Sequence, residues 1–99
     1  MQNLRINPLV AADLKEICNF IADNNEAYAV KTISEIYKKF EIIQHFPEIG
    51  AKLSERVSFS TDYRYLPWGD YVVIYRIRKE FIEILSVLNR YLGITRILD

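Results

Sequence analysis

Residues 63–90 read YRYLPWGDYVVIYRIRKEFIEILSVLNR. The stretch is rich in Val, Ile, Tyr and Phe, which suit a pleated, half-buried surface. Two breaks interrupt it, Pro67-Trp68-Gly69-Asp70 and Arg78-Lys79-Glu80. It therefore predicts three consecutive antiparallel strands. With Lys79-Glu80 as a tight turn, Ile77 faces Ile82, Tyr75 faces Ile84, Val73 faces Ser86 and Tyr71 faces Leu88. That face is almost wholly apolar and should receive a cover. The reverse face pairs Arg76 with Glu83, Ile74 with Leu85 and Val72 with Val87. An antiparallel sheet with one wet face normally alternates apolar and polar residues. Here Val72, Ile74, Leu85 and Val87 stay apolar where water is expected, so either the last residues, from Leu92 to Leu98, or a partner should cover them. Lys-Glu is not a favoured hairpin turn, so a longer loop would shift this register.

Working upstream, Ala51–Thr61 is polar and aperiodic and reads as a loop, with Val57 and Phe59 able to tuck in. Phe46-Pro47 and Ile49-Gly50 end a helix that starts near Glu26. Its apolar face is expected at Val30, Ile33, Ile36, Tyr37, Phe40 and Ile43. Asn24-Asn25 separates it from an earlier helix opened by Asn7-Pro8, an N-cap followed by a proline where its missing N–H does no harm. Leu14, Ile17, Cys18 and Ile21 form that helix's apolar stripe, with Asp13, Lys15 and Glu16 on the wet side. Asn3–Ile6 is a short opening strand. The expected fold is α+β in the order β-α-α-β-β-β, a helical hairpin packed on one face of a small, mainly antiparallel sheet. Ninety-nine residues predict one domain, 1–99.

The totals exclude several functions. Charge is balanced at 13 basic and 13 acidic residues, and the sequence pI is near 6.6. Proteins that live by non-specific phosphate binding usually carry a basic excess. The balance is uneven along the chain. Residues 1–50 hold 5 Lys+Arg against 7 Asp+Glu, and residues 51–99 hold 8 against 6, so the positive sites gather on the sheet half. One cysteine, Cys18, makes no internal disulfide, and no apolar run approaches the ~20 residues that span a bilayer. A reducing cytoplasm is the expected compartment. One His and one Cys do not make a typical zinc site, and three glycines form no phosphate loop, so neither metal nor cofactor is expected. His45, at a helix end, should meet the last carbonyls.

What remains is a set of arginines and aromatics on or beside the sheet: Arg64, Tyr65, Arg76, Arg78, Arg90, Tyr91 and Arg96. Arginine binds phosphate and carboxylate bidentately and stacks on rings. Arg64 opens the first of the three strands and Arg90 ends the last, and both are expected at one rim.

In order and spacing, several pieces resemble the RelE/ParE superfamily of toxins from type II toxin–antitoxin modules. They are Asn7-Pro8 with Ala12-Asp13-Leu14 and Ile17; Phe46-Pro47-Glu48-Ile49-Gly50; Tyr63-Arg64-Tyr65-Leu66-Pro67; Gly69-Asp70 through Ile77; and Ile82–Leu85 with Val87-Leu88. They look more like the ParE, or plasmid-stabilisation, branch. The resemblance implies a growth inhibitor silenced by a cognate antitoxin, with operator DNA bound only through that antitoxin and no membrane involved. Val72, Ile74, Leu85 and Val87, or the groove of the helix pair, are the expected antitoxin landing sites.

The branches of the superfamily differ in target. RelE-type members cut mRNA on the ribosome and need a base, an acid and cations at the scissile phosphate. Arg64, Arg90 and Tyr91 are the candidates for such a set, but Val72 stands where that branch carries an arginine, and Tyr91 comes earlier than the tail tyrosine. ParE-type members bind DNA gyrase without chemistry of their own. Arg64, Tyr65, Arg76, Arg90 and Arg96 would then be target contacts. A non-catalytic toxin is the leading expectation. An mRNA endoribonuclease is the second, and an inactive relative serving operon autoregulation is the third.

Overall fold

Asn7-Pro8 starts the first helix as its chemistry dictates. The computed structural model describes residues 2–90. In it Asn7 Oδ1 accepts a hydrogen bond from the Leu9 N–H at 2.9 Å, and helix α1 runs Pro8–Ala22. Asn25 caps helix α2, Glu26–His45, in the same way through the Tyr28 N–H at 3.0 Å. His45 closes α2 by placing Nδ1 2.8 Å from the Glu41 carbonyl, the structural role expected of it.

The helices cover one face of a five-stranded sheet. Its strands are β1 (Asn3–Ile6), β2 (Ala51–Lys52), β3 (Arg64–Trp68), β4 (Tyr71–Ile77) and β5 (Phe81–Asn89), in the order β1-β5-β4-β3-β2. Only β1 runs parallel to its neighbour, β5. The β4–β5 link is the tight turn expected, closed by the Arg78 N–H on the Phe81 carbonyl at 2.8 Å. Pro67 and Trp68 belong to β3, leaving Gly69-Asp70 as the turn. Gly69 sits there at φ 57, the left-handed region that costs glycine nothing.

The helix-side core joins Val10 and Leu14 of α1 and Ile36, Phe40 and Ile43 of α2 to Val73, Tyr75, Ile82, Ile84 and Val87. The α2 stripe is rotated from the expected one. Ala29 is buried, whereas Val30 and Tyr37 point outward at 69% and 48% exposure. Both would suit an apolar face by composition, but the α1 contact selects the ridge that holds Ile36 and Phe40. Leu9 and Phe20 of α1 are exposed as well.

The expected β4–β5 register holds at Ile77↔Ile82, Arg76↔Glu83 and Tyr75↔Ile84, then shifts by one. Beyond the shift Ile74 faces Ser86, Val73 faces Val87, Val72 faces Leu88 and Tyr71 faces Asn89. Leu85 is the extra residue of a β-bulge, which exchanges the faces of the residues after it. Val87 therefore belongs to the helix-side core and Leu88 to the other face, the reverse of the regular-ladder expectation. Asp13 is not on the wet side. Its Oδ2 accepts from Ser86 Oγ at 2.6 Å and from the Val87 N–H at 3.0 Å, at the bulge.

The second face is not left open. The 51–63 segment folds back across it. After β2 comes a 3-10 turn, Leu53–Glu55, in which Leu53 is fully buried against Tyr65, Val72, Ile74 and Leu88. Val57, Tyr63 and Leu85 pack at the margin of this cluster, and Phe59 stays largely exposed. Neither a partner nor residues 92–98, which lie outside the described residues, need be invoked to explain the apolar set.

Candidate functional site

The arginines expected at one rim lie far apart. In a three-strand meander the first and third strands run parallel, so the start of β3 and the end of β5 are at opposite ends of the sheet. Arg64 faces Tyr75 on β4, and Arg90 follows Asn89, which faces Tyr71. Five residue steps, from Tyr75 back to Asp70, separate the two levels, roughly 17 Å of extended chain. The faces differ too. Arg64 shares a rung with Tyr75 of the helix-side core, while alternation from Leu88 places Arg90 on the loop side.

Arg64 is held by the turn that ends α2. Its Nη1 donates to the Gly50 carbonyl at 2.7 Å and lies 3.5 Å from the Glu48 carbonyl. The Tyr75 hydroxyl grips the same turn, accepting from the Gly50 N–H at 2.8 Å and donating to the Pro47 carbonyl at 2.7 Å. Gly50 has to be glycine there, because a Cβ would stand 2.5 Å from the Tyr75 oxygen and 2.8 Å from the Tyr65 carbonyl. Burial pushes the Tyr75 phenol above its usual pKa, against the opposing pull of the Gly50 N–H and the Arg64 charge. The Phe46–Gly50 motif is thus a clamp between helix and sheet.

Arg76 forms the expected cross-strand pair, Nε to Glu83 Oε1 at 2.9 Å, and its guanidinium carbon lies 5.9 Å from the centre of the Tyr63 ring. Both partners are partly exposed, so the pair contributes ~0.2–1 kcal/mol. Tyr65 is buried on the loop side. Its hydroxyl accepts from Arg56 Nε at 2.8 Å, with the Arg56 guanidinium carbon 5.7 Å from the ring centre. Arg78 reaches Asp62 at 3.6 Å. Three arginines of the loop-side face thus each meet a ring, a carboxylate or both. Arg56 and Asp62 were not singled out from sequence. Both lie in or beside the aperiodic loop, and no pattern announces that it folds back onto β3 and β4.

At the other end of the sheet, Arg90 donates its backbone N–H to the Asp70 carbonyl at 2.8 Å and Nη1 to the Gly69 carbonyl at 3.3 Å. Arg90 is an exposed residue beside the β3–β4 turn. Tyr71, next in the chain after that turn, has its phenol pKa raised, first by burial and then by the charge of Asp70. Tyr91 and Arg96 lie outside the described residues.

Of the side chains proposed to receive a partner, Val72 and Ile74 are each 1% exposed and Val87 is 2% exposed on the helix side. Leu85, the bulge residue, is half-buried. A surface for direct docking is therefore missing at Val72, Ile74 and Val87, because the chain's own loop and helices occupy it.

This geometry can be set beside known proteins. Among curated proteins, none matches the chain in sequence. The solved structure "Chromosomal ParDE TA system from P. aeruginosa" matches with a TM-score of 0.72 at 19% identity, covering 90% of this chain and 96% of that one. At that identity the likeness speaks for the fold: two helices on a mixed five-stranded sheet. A family model described as the ParE toxin of type II toxin-antitoxin system, parDE, matches residues 4–91, from the opening strand past the end of β5. The chain belongs to the ParE toxin family of type II toxin–antitoxin systems.

Proposed function

We propose that this toxin arrests growth by binding a cellular target, with DNA gyrase the first candidate, and does so without cleaving RNA itself. One observation carries the reading, the separation of Arg64 from Arg90. Cleavage through a 2′-OH needs a base, an acid and cations converging within hydrogen-bond reach of one phosphate. Roughly 17 Å and a change of face separate the two arginines best suited to that task. Val72, the third position, is buried and apolar. Arg64 serves the clamp, and the exposed Arg90 end is the stronger contact surface.

A cognate antitoxin silences the toxin on this reading. With Val72 and Ile74 enclosed, the helix pair is the better landing site. Val30 and Tyr37 on α2 and Leu9 and Phe20 on α1 are large apolar groups left in water. Tyr37→Glu should weaken antitoxin capture while leaving growth arrest intact.

Purified toxin should inhibit gyrase supercoiling, and Arg90→Ala should lose at least about tenfold in potency, the factor that follows from ~1.4 kcal/mol of lost contact energy. Absence of inhibition at any concentration removes gyrase as target. Cuts at defined codon positions in translating mRNA would replace the reading with that of an endoribonuclease.

A further inference from the structure

The bulge in β5 decides where Arg90 ends up, and the sequence pattern alone does not demand it. A regular ladder would turn Ser86 and Leu88 toward the helices and Val87 toward the loop side. The observed ladder turns Val87 to the helices and Leu88 to the loop side. Each alternative buries one large aliphatic residue on each face beyond Leu85. Register is strongly specified only where the apolar pattern differs between alternatives, and here it hardly differs.

What differs is Asp13. Strand β1 stops pairing at Ile6↔Ile84, and the Asn7 N–H takes the Ile84 carbonyl as the chain turns away into α1. Beyond that point, among the described residues, β5 has no strand on its β1 side. The Val87 N–H is met there by Asp13 Oδ2, 3.0 Å away, and the same oxygen takes Ser86 Oγ at 2.6 Å. Both bonds are charge-assisted. The Val87 bond requires the bulge: Ile84 turns its carbonyl to the β1 side, so in a regular ladder the alternation would turn the Val87 N–H toward β4 and away from Asp13.

We infer that Asp13 is a positioning residue: by holding Ser86 and Val87 it fixes the one-residue shift at Leu85 and so aims Arg90 at the target. The last step rests on the proposed role of Arg90, whereas the control of register does not.

The test uses four proteins: the parent, Asp13→Asn, Asp13→Ala, and Asp13→Ala with Leu85 deleted. Asn keeps an oxygen able to accept both bonds. Deleting Leu85 removes the extra residue while keeping Ser86 opposite Ile74 and Val87 opposite Val73, so the shift no longer needs to be held. Cross-strand NOEs report the register, and induced expression reports growth arrest.

Parent and Asp13→Asn should show Val73 opposite Val87 and arrest growth. Asp13→Ala should move Val73 opposite Ser86, or average the two arrangements, and lose growth arrest. The deletion variant should recover both. An unchanged register in a folded Asp13→Ala overturns the inference. If Asp13→Ala fails to fold, the deletion variant decides: folding with growth arrest restored supports control of register, and failure to fold overturns it. A register that moves while growth arrest persists leaves Asp13's role standing and refutes the role given to Arg90.

Discussion

The two faces of the sheet are covered by different means. On one, two capped helices lay a periodic apolar ridge over Val73, Tyr75, Ile82 and Ile84. On the other, a loop with little regular structure inserts Leu53 and leans Val57 and Tyr63 on Val72, Ile74 and Leu88. The helix-side cover gains from capping and from long-range packing together. The loop-side cover depends on a few anchors and on the Phe46–Gly50 clamp from which it departs. That difference also divides the arginines. Arg64 belongs to the clamp, and Arg90 stands on the loop side at the opposite end.

Substitutions in the two cores should expose the contrast. Phe40→Ala empties the centre of the helix-side core and should cost ~3–5 kcal/mol, read from denaturant unfolding. Leu53→Ala should cost ~2–5 kcal/mol by the same measure. Its distinguishing sign is hydrogen exchange, where amides of 51–63 should lose protection ahead of those in α1 and α2. A cost for Leu53→Ala below ~1 kcal/mol would mean that the loop is not part of the cooperative fold.

The clamp should respond next. Tyr75→Phe removes an acceptor from the Gly50 N–H and a donor from the Pro47 carbonyl, for ~1–3 kcal/mol. It also carries a pH signature. The Tyr75 phenol has its pKa raised above 10.0 in the folded chain, so its contribution is complete below the unfolded pKa and falls away as pH rises through the folded one. The parent should lose stability above about pH 10, and Tyr75→Phe should lose part of that dependence. The smallest effect belongs to the Arg76–Glu83 pair, for which a double-mutant cycle should return ~0.2–1 kcal/mol. A coupling well above that range would make the loop-side rim a larger structural element than its exposure suggests.

Much of the fold was legible from residues alone. Asn7-Pro8 and Asn25 mark the helix starts because a short polar side chain followed by periodic apolar residues satisfies orphan N–H groups. The alternation of β4 and the turn at Lys79-Glu80 gave the correct register up to Tyr75↔Ile84. Three features were not legible. The bulge at Leu85 depends on Asp13, a helix residue far away in the chain. The loop-side cover depends on Leu53, Val57 and Tyr63, whose spacing has no period. The rotation of α2, which leaves Val30 and Tyr37 outside, depends on where α1 lies. Each needs a long-range contact to decide between local choices of similar quality. The candidate site suffered for the same reason. Arg64 and Arg90 looked like neighbours along the sequence of strands, but the direction of a meander sets them at opposite ends.

The most direct test compares Arg64→Ala with Arg90→Ala for both thermal stability and growth arrest after induction without antitoxin. Arg64→Ala should lower the melting temperature, because the Gly50 carbonyl loses its cation, and should reduce arrest only as far as folded protein is lost. Arg90→Ala should abolish arrest at a soluble level close to the parent's, with a smaller fall in melting temperature than Arg64→Ala. If instead Arg64→Ala abolishes arrest with its melting temperature unchanged, and Arg90→Ala arrests growth as the parent does, the division of labour between the two faces is wrong.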